Sequence, residues 1–390
     1  MVITSVSSVG DTNKYAILKE IRSRDGISRD QLAHELKLSP PAVSKNVSSL
    51  IASGIIYEHG TAGSGVGRKP VMLYYNYNIM YVIGVEIMPQ GIRGALADFQ
   101  GNILADCSAL SEIKISTRKT LDNLQYVIDH LINESPSPEK VRCICIASPG
   151  SGRNATKFNL LSEYQQDWED LDLAEYLKDK YKSDIIVMND VELDLIGEHW
   201  KGAGKGRDNI LMLKYGDGFA CRTMINGSLF FGANHMAGDI GLFVQSYSGG
   251  KKEFSLPGSM EHRLCSNLDQ SYVLSGGTIP ENTTVNLRWL IRRAGKDDPA
   301  AKKLMGSILE DIAVVLTNTI LILNPELVIL GGSAAYFSES DVKLLTDFLK
   351  ANTPYPPQVS TSKLLERSGI YGAIRTAIDR AETYLAELWK

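Results

Sequence analysis

No apolar run in the chain approaches the roughly 18 residues needed to span a bilayer. The longest candidate, DIAVVLTNTILILN, is interrupted by Thr317, Asn318 and Thr319 and reads as a buried helix. No charged, apolar and cleavage-site pattern opens the sequence. Cysteines are few: Cys107, Cys143, Cys145, Cys221 and Cys265 are an odd number without framework spacing, which argues against a disulfide scaffold and for a reducing, cytoplasmic setting. A general excess of positive charge is missing too, since 41 Lys and Arg against 45 Asp and Glu leave −4. That excludes a protein that is basic throughout. What is present is 390 residues, 44% of them hydrophobic, enough for two or three globular units. Charge is spread unevenly: residues 1–80 carry nine Lys/Arg against six Asp/Glu, or +3, and the remainder 32 against 39, or −7. A basic excess at one end fits a local anionic partner.

Three short helical patterns come first. Ile17, Leu18 and Ile21 give one apolar face; Leu32 and Leu36 give another, started by Ser28 with Gln31 three residues on, the spacing of a capping box. A third helix begins after Ser39 as N-cap, with Pro40 at the first helical position, where a missing N–H costs nothing. It buries Val43, Val47, Leu50 and Ile51 and stops at Gly54. Two strands, within GIIYEHG and RKPVMLYY, then flank a glycine loop. This is the pattern of a winged helix-turn-helix, in which the third helix enters the major groove and the wing reaches the adjacent backbone or minor groove. On the third helix the positions outside the core are Pro41, Ala42, Ser44, Lys45, Ser48 and Ser49. Small side chains let the helix sit deep, Lys45 can take a phosphate or a guanine edge, and the serines can bond either. In the wing, Arg68 and Lys69 supply charge. Three helices with a hairpin also serve as protein-docking modules, but the capped pair, the small exposed face and the local charge favour DNA.

After Asn78 the pattern becomes α/β. YVIGVEI, GIRGALAD and ILADCSAL read as a strand meander, followed by a helix over about 117–133 and the buried strand VRCICIA. A related order returns near residue 209 with NILMLKY, a Gly-Asp-Gly turn, FACRTMI and SLFFG, then long helices near 283–294 and 298–323 and the strand ELVILGG. Two halves that open alike predict a duplicated ribonuclease-H-like module, the architecture of actin and sugar kinases, which clamps a ligand between its lobes. The expected division is residues 1–78 for the winged domain and 79–390 for the module, with lobes of roughly 79–190 plus the C-terminal helix, and 191–370.

On these residues the chain resembles the ROK family, which groups sugar-responsive bacterial repressors with sugar kinases. The pieces are GRKP in the wing, DFQGNIL, SPG at 148–150, MND ending at Asp190, GAG after Trp200, AGDIG at 237–241, PGSME ending at Glu261, and NPELVILGG. Each is weak alone; their order and spacing carry the resemblance. It implies sugar contacts at Asn189, Asp190, Asp239 and Glu261, with Asp190 at the place of the kinases' base. Asn189-Asp190 also reads as the cap of the helix VELDLIGEHW, and both uses can hold at once.

The phosphate-binding turns of the family's kinases are altered here. The first is EIMPQG, in which Met88, Pro89 and Gln90 stand where close backbone approach and free N–H donors are needed. The second, GDGFA, places Asp217 toward the polyphosphate, a like-charge contact costing about 4 kcal/mol at 4 Å and an effective dielectric near 20. The family's structural zinc ligands are replaced as well: Lys252, Phe254 and Ser259 stand at the cysteine places and Leu242 at the histidine place, while His235 and His262 lie off the pattern. Phe254, Leu256 and Met260 could hold that loop as an apolar cluster instead.

The resemblance therefore implies a metal-free, cofactor-free transcriptional repressor with operator DNA and a sugar or related polyol other than glucose as partners. It would act as a homodimer, or a tetramer, with no membrane association. A sugar kinase with an appended DNA-binding domain is the alternative, as is a repressor controlled by a protein partner.

Overall fold

The computed structural model describes residues 9–61, 70–113, 115–154, 157–159, 168, 171–244 and 259–389. The N-terminal unit runs α1 (Val9–Arg22), β1 (Ile27–Ser28), α2 (Arg29–Leu36), α3 (Pro40–Ala52), β2 (Ile56–Thr61) and β3 (Val71–Tyr75), with the three strands in the order β1-β3-β2. Local signals set each boundary. Ser28 Oγ accepts from the Gln31 N–H and Gln31 Oε1 accepts from the Ser28 N–H, so the expected capping box starts α2. Lys37, in the left-handed region at φ 53°, ends it. Pro40 opens α3, although the Ser39 side chain makes no cap hydrogen bond, and Gly54 at φ +73° turns the chain into β2. Ile17, Leu32, Val43, Val47, Leu50 and Leu73 are fully buried in the core these elements share.

The remaining chain builds the same five-stranded sheet twice. In the first lobe β4 (Tyr81–Met88), β5 (Gly91–Asp98) and β6 (Ile103–Ala109) form the antiparallel meander. β7 (Val141–Ser148) lies parallel to β4, and beyond the hairpin β8 (Ser151–Asn154) and β9 (Lys157–Asn159), β10 (Asp184–Asn189) lies parallel to β7. In the second lobe β11 (Ile210–Tyr215), β12 (Phe219–Ile225) and β13 (Ser228–Leu229) form the meander, with β14 (Leu327–Gly332) parallel to β11 and β15 (Gln358–Thr361) parallel to β14. The strand orders, β10-β7-β4-β5-β6 and β13-β12-β11-β14-β15, are one topology repeated.

Helices α4 (Thr117–Asn133) and α5 (Leu173–Lys178) cover one face of the first sheet. α6 (Asp190–Lys201) follows β10, and α7 (Leu268–Leu274), α8 (Leu287–Ala294), α9 (Pro299–Leu323) and α10 (Glu339–Asn352) belong to the second lobe. α11 (Ser368–Ala381) and α12 (Leu385–Leu388) close the chain. α9 is long and apolar enough by composition to cross a membrane. Its Ile308, Ile312, Leu316 and Ile320, however, are buried in one core with Leu211, Leu213, Val328 and Leu330.

Strand alternation fixes what faces the junction between the lobes. On the second sheet, Ile210, Met212, Met224, Leu327 and Ile329 meet Leu195 of α6, so α6 packs on the face opposite α9. On the first sheet, Val82, Ala95, Cys143 and Cys145 meet Leu193 of α6 and Ile370, Ala373 and Ile374 of α11. α6 therefore lies between the two sheets, crossing α11 at glycines: a Cβ on Gly372 would stand 1.8 Å from the Leu193 carbonyl oxygen, and one on Gly197 2.1 Å from that of Ser368.

The end of the chain grips the winged domain. Arg22 of α1 forms an ion pair with Glu382 and donates to the Phe99 carbonyl at 3.1 Å, and Tyr15 packs edge-on against Trp389 with ring centroids 5.0 Å apart.

Candidate functional site

The nucleic-acid face comes first in the chain. Pro41, Ser44, Lys45 and Ser48 are exposed on α3, and Ala42 and Ser49 are half-buried. Lys45 has no ion-pair partner among the described residues. Asn46, which points inward, donates to the Ala42 carbonyl at 2.9 Å and so stays on the helix. Arg68 and Lys69 lie outside the described residues.

The second site forms where β10 runs into α6. Asn189 caps that helix: its Oδ1 accepts from the N–H groups of Val191 at 3.0 Å and Glu192 at 3.3 Å, and its Nδ2 donates to the Gly150 carbonyl. Asp190, next in the chain, receives Lys214 Nζ of β11 at 2.8 Å. The same ammonium lies 2.6 Å from Asp194 Oδ2. Glu86 of β4, 4% exposed, completes the cluster from the first lobe and is held by Arg93 at 3.1 Å. Asp239 receives Arg222 Nη1 of β12 at 2.8 Å. Glu261 lies over the Gly-Asp-Gly turn, with Oε1 3.2 Å from where a Cβ on Gly218 would stand.

Asn189 and Asp190 thus sit together at the start of α6, and Asp239 reaches the same helix through Arg222, 3.9 Å from Glu192. The sequence reading missed Lys214 and Arg222. Their signal was a single charge inside an apolar strand, LMLKY and FACRTM, where burial demands a partner. The register pairs Met212 with Arg222 and Lys214 with Ala220, so both cations share the face that meets α6.

Of the residues at the altered zinc positions, Lys252 and Phe254 lie outside the described residues, as does Leu256. Leu242 is half-buried, and Met260 is buried in the second-lobe core. Among the described residues no group of three or more His, Cys, Asp or Glu is placed to hold a metal.

Burial and crowding shift the acids of this cluster. Burial, reinforced by Asp194, raises Glu86 from 4.5 to about 7 against the pull of Lys214 and Arg93. Burial likewise raises Glu192 to about 7, with Arg222 opposing. For Lys214, burial alone would lower the ammonium, but Asp190, Asp194 and Glu86 outweigh it and raise it well above its usual value. A carboxyl whose folded value is raised contributes stability that is fully present below its unfolded value and lost as pH rises through the folded one. Stability is therefore expected to decline between about pH 4.5 and 7. In a Glu86→Gln/Glu192→Gln variant, melting temperature followed by circular dichroism is expected to fall less steeply over that window. Identical slopes in the two proteins would remove these two groups as the cause.

A winged helix-turn-helix ahead of a twice-built five-stranded α/β layer, with an acidic junction between the layers, defines a DNA-binding protein carrying a kinase-like module. The chain belongs to the ROK family, whose pattern matches residues 82–380, and residues 11–57 match a winged helix-turn-helix DNA-binding domain. Its relatives include the xylose repressor of Bacillus subtilis (strain 168), 28% identical over 335 residues and 85% of each chain. The N-acetylglucosamine repressor of Escherichia coli O157:H7 is 23% identical over 388 residues, 94% of this chain and 93% of that one. In fold the chain is similar to a ROK family transcriptional regulator described as a homolog of the E. coli MLC protein, with TM-score 0.77 and 18% identity over 97% and 99% of the two chains. A ROK hexokinase from Thermus thermophilus matches 78% of this chain and 99% of its own at TM-score 0.63 and 19% identity.

Proposed function

We propose that the protein is a sequence-specific transcriptional repressor, cytoplasmic and homodimeric or tetrameric, whose kinase-like module senses a sugar and transfers no phosphate. The observation that carries the second half is one hydrogen bond: Gln90 Nε2 donates to Asp217 Oδ2 at 2.9 Å. Those are the residues that alter the two phosphate turns, and here they join the lobes where a nucleotide would enter. Asp190, at the place of a base, is held by an ammonium and is poorly placed to take a proton from a hydroxyl. The named repressors among its relatives support the first half.

DNA contact is assigned to Pro41, Ala42, Ser44, Lys45 and Ser48 of α3, with Arg68 and Lys69 in the wing. Sugar contact is assigned to Asn189, Asp190, Asp239 and Glu261. The ligand would be a sugar or polyol other than glucose. Calorimetry against a panel of neutral sugars, followed by operator binding with and without the sugar that binds, tests the sensing half. Sugar-dependent ATP turnover that disappears in Asp190→Asn would overturn the inactive assignment and favour a kinase.

Lys45→Ala is expected to weaken operator binding about tenfold and to lower the slope of log affinity against log salt by about one, as loss of one phosphate contact requires. The fold should be unaffected, since Lys45 is exposed and has no ion-pair partner among the described residues. An unchanged salt slope would place that helix face away from the DNA backbone.

The chain end supplies a route between the two sites: α6 starts at Asp190, crosses α11, and α11 leads to Glu382, which holds Arg22 of the winged domain. Arg22→Ala is expected to leave sugar affinity unchanged while reducing the effect of sugar on operator binding, measured by anisotropy. Equal coupling in both proteins would dismiss this route.

A further inference from the structure

Arg222 is buried to within 3% of full enclosure, yet its hydrogen bonds are incomplete. Nη1 donates to Asp239 Oδ1 and to the Cys221 carbonyl, each at 2.8 Å. Nε stands 3.9 Å from the nearest Glu192 oxygen, beyond hydrogen-bond reach. Arg222 Nε and Asp239 Oδ2 are both buried without a partner among the described residues. An unmet charged donor beside an unmet charged acceptor is costly, and native proteins keep such groups for water or a ligand.

The two atoms ask for opposite things. Nε offers a proton and Oδ2 needs one, so a group that satisfies both must accept and donate. Hydroxyls do this; phosphate and carboxylate accept at Nε but meet Oδ2 as like charge. The surroundings add to that bias, because Glu86, Asp190, Glu192, Asp194, Asp239 and Glu261 outnumber Arg93, Lys214 and Arg222 by six to three. Both atoms are buried, so a hydroxyl reaches them only when the side chains covering them give way.

We infer that Arg222, acting with Asp239, is a specificity-determining residue that reads the hydroxyls of an uncharged polyol and turns away its phosphate ester. This rests on the sugar-sensing reading above and names the class of ligand within it. Arg222 also holds Asp239 in place, so the carboxylate serves as ligand acceptor through one oxygen only.

The test is calorimetry on the full chain with xylose, N-acetylglucosamine and the phosphate ester of each, followed by single-deoxy analogues of whichever neutral sugar binds. The wild type should bind one neutral sugar and bind its phosphate ester at least about 100-fold more weakly. Removing one particular hydroxyl from that sugar should weaken wild-type binding about 10- to 100-fold, the range for a hydrogen bond to a charged group. Arg222→Lys should lose a similar factor for the full sugar and discriminate little against that deoxy analogue. Asp239→Asn, which keeps an oxygen for Arg222, is the second variant should Arg222→Lys fail to fold, and the same loss of discrimination is expected of it. Circular dichroism and retained operator binding identify folded variants.

Tighter binding of the phosphate ester, or unchanged hydroxyl discrimination in folded Arg222→Lys and Asp239→Asn, would overturn the inference and leave sugar sensing intact. No heat with any neutral or phosphorylated sugar would overturn the sensing reading itself, and this inference with it.

Discussion

Gly372→Ala is expected to destabilise the protein by about 3 kcal/mol or more, at or beyond the upper end of overpacking. The added methyl would lie 1.8 Å from the Leu193 carbonyl oxygen and 2.5 Å from its carbon, both backbone atoms of α6. Backbone inside a helix cannot rotate away as a side chain can, so α6 and α11 must separate by more than an ångström. Gly197, whose Cβ would meet the Ser368 carbonyl oxygen at 2.1 Å, makes the reciprocal contact and should behave alike. The helices also carry the chemistry: α6 begins with the Asp190 pair and α11 ends beside the residue that holds Arg22. A variant that folds at all should therefore lose sugar response before it loses DNA binding. Gly306→Ala is the matched control. That glycine lies inside α9 with nothing within 4 Å of its would-be Cβ, so alanine there is expected to gain up to about 1 kcal/mol from helix propensity. Denaturant midpoints of the three proteins decide it. Gly372→Ala within about 0.5 kcal/mol of wild type would show that the two helices are not locked at this crossing.

What the sequence made legible was local. Ser28 and Gln31, Pro40 and Gly54 each act through neighbours within four residues, so the winged domain could be drawn element by element. The two sheets were legible as meanders because strand alternation and tight turns are also short-range, and the helices expected over about 117–133 and 298–323 run over Thr117–Asn133 and Pro299–Leu323, whereas the one expected near 283–294 begins only at Leu287, after its Asn286 cap. Partners across the lobes were not. Gln90 and Asp217 are 127 residues apart, and each alone reads only as a damaged turn; that they bond to one another is a property of lobe closure. Glu198 is a sharper case. It is fully buried, with Ser362 Oγ at 2.6 Å, Ser368 Oγ at 3.0 Å and the Leu364 N–H at 2.9 Å donating to one oxygen, and the Ala203 N–H at 2.6 Å to the other. Nothing in GEHWKGAG distinguishes it from a solvated helix glutamate. A period of 3.6 says which residues share a face but not what covers that face. The same limit hid Lys214 and Arg222, whose strands alternate as expected while the carboxylates that justify them sit on another element.

Lys214→Met carries the second large effect, a loss of about 3–5 kcal/mol near neutral pH, the cost of removing one partner from a buried ion pair. Methionine nearly matches the lysine stem in volume, so packing is kept and the charge alone is deleted. The Lys214 side chain is three-quarters shielded, and its ammonium lies 2.8 Å from Asp190 and 2.6 Å from Asp194. Without it these two carboxylates and Glu86 face one another, with Arg93, on the Glu86 side, as the compensation among the described residues. Two controls separate charge from packing. Lys214→Met/Asp194→Asn removes one of the stranded charges and should recover part of the loss. Acidification should recover it too, because Asp194 and Glu86 are already raised by burial and take protons more readily once the cation is gone. In the wild type the raised Lys214 contributes stability that is fully present below its unfolded value near 10.5 and is lost only as pH climbs through the higher folded one, so its own contribution is constant across the acid and neutral range. The gap between variant and wild type should therefore be widest near neutrality and narrow toward pH 5. The variant also frees Asp190 from its ammonium, yet no sugar-dependent ATP turnover is expected, since Gln90 and Asp217 still join the phosphate turns. A variant as stable as wild type at pH 7.5 would mean that the three acids are already neutral or solvated there. The lysine would then be a bystander rather than the cation that holds the second lobe to α6.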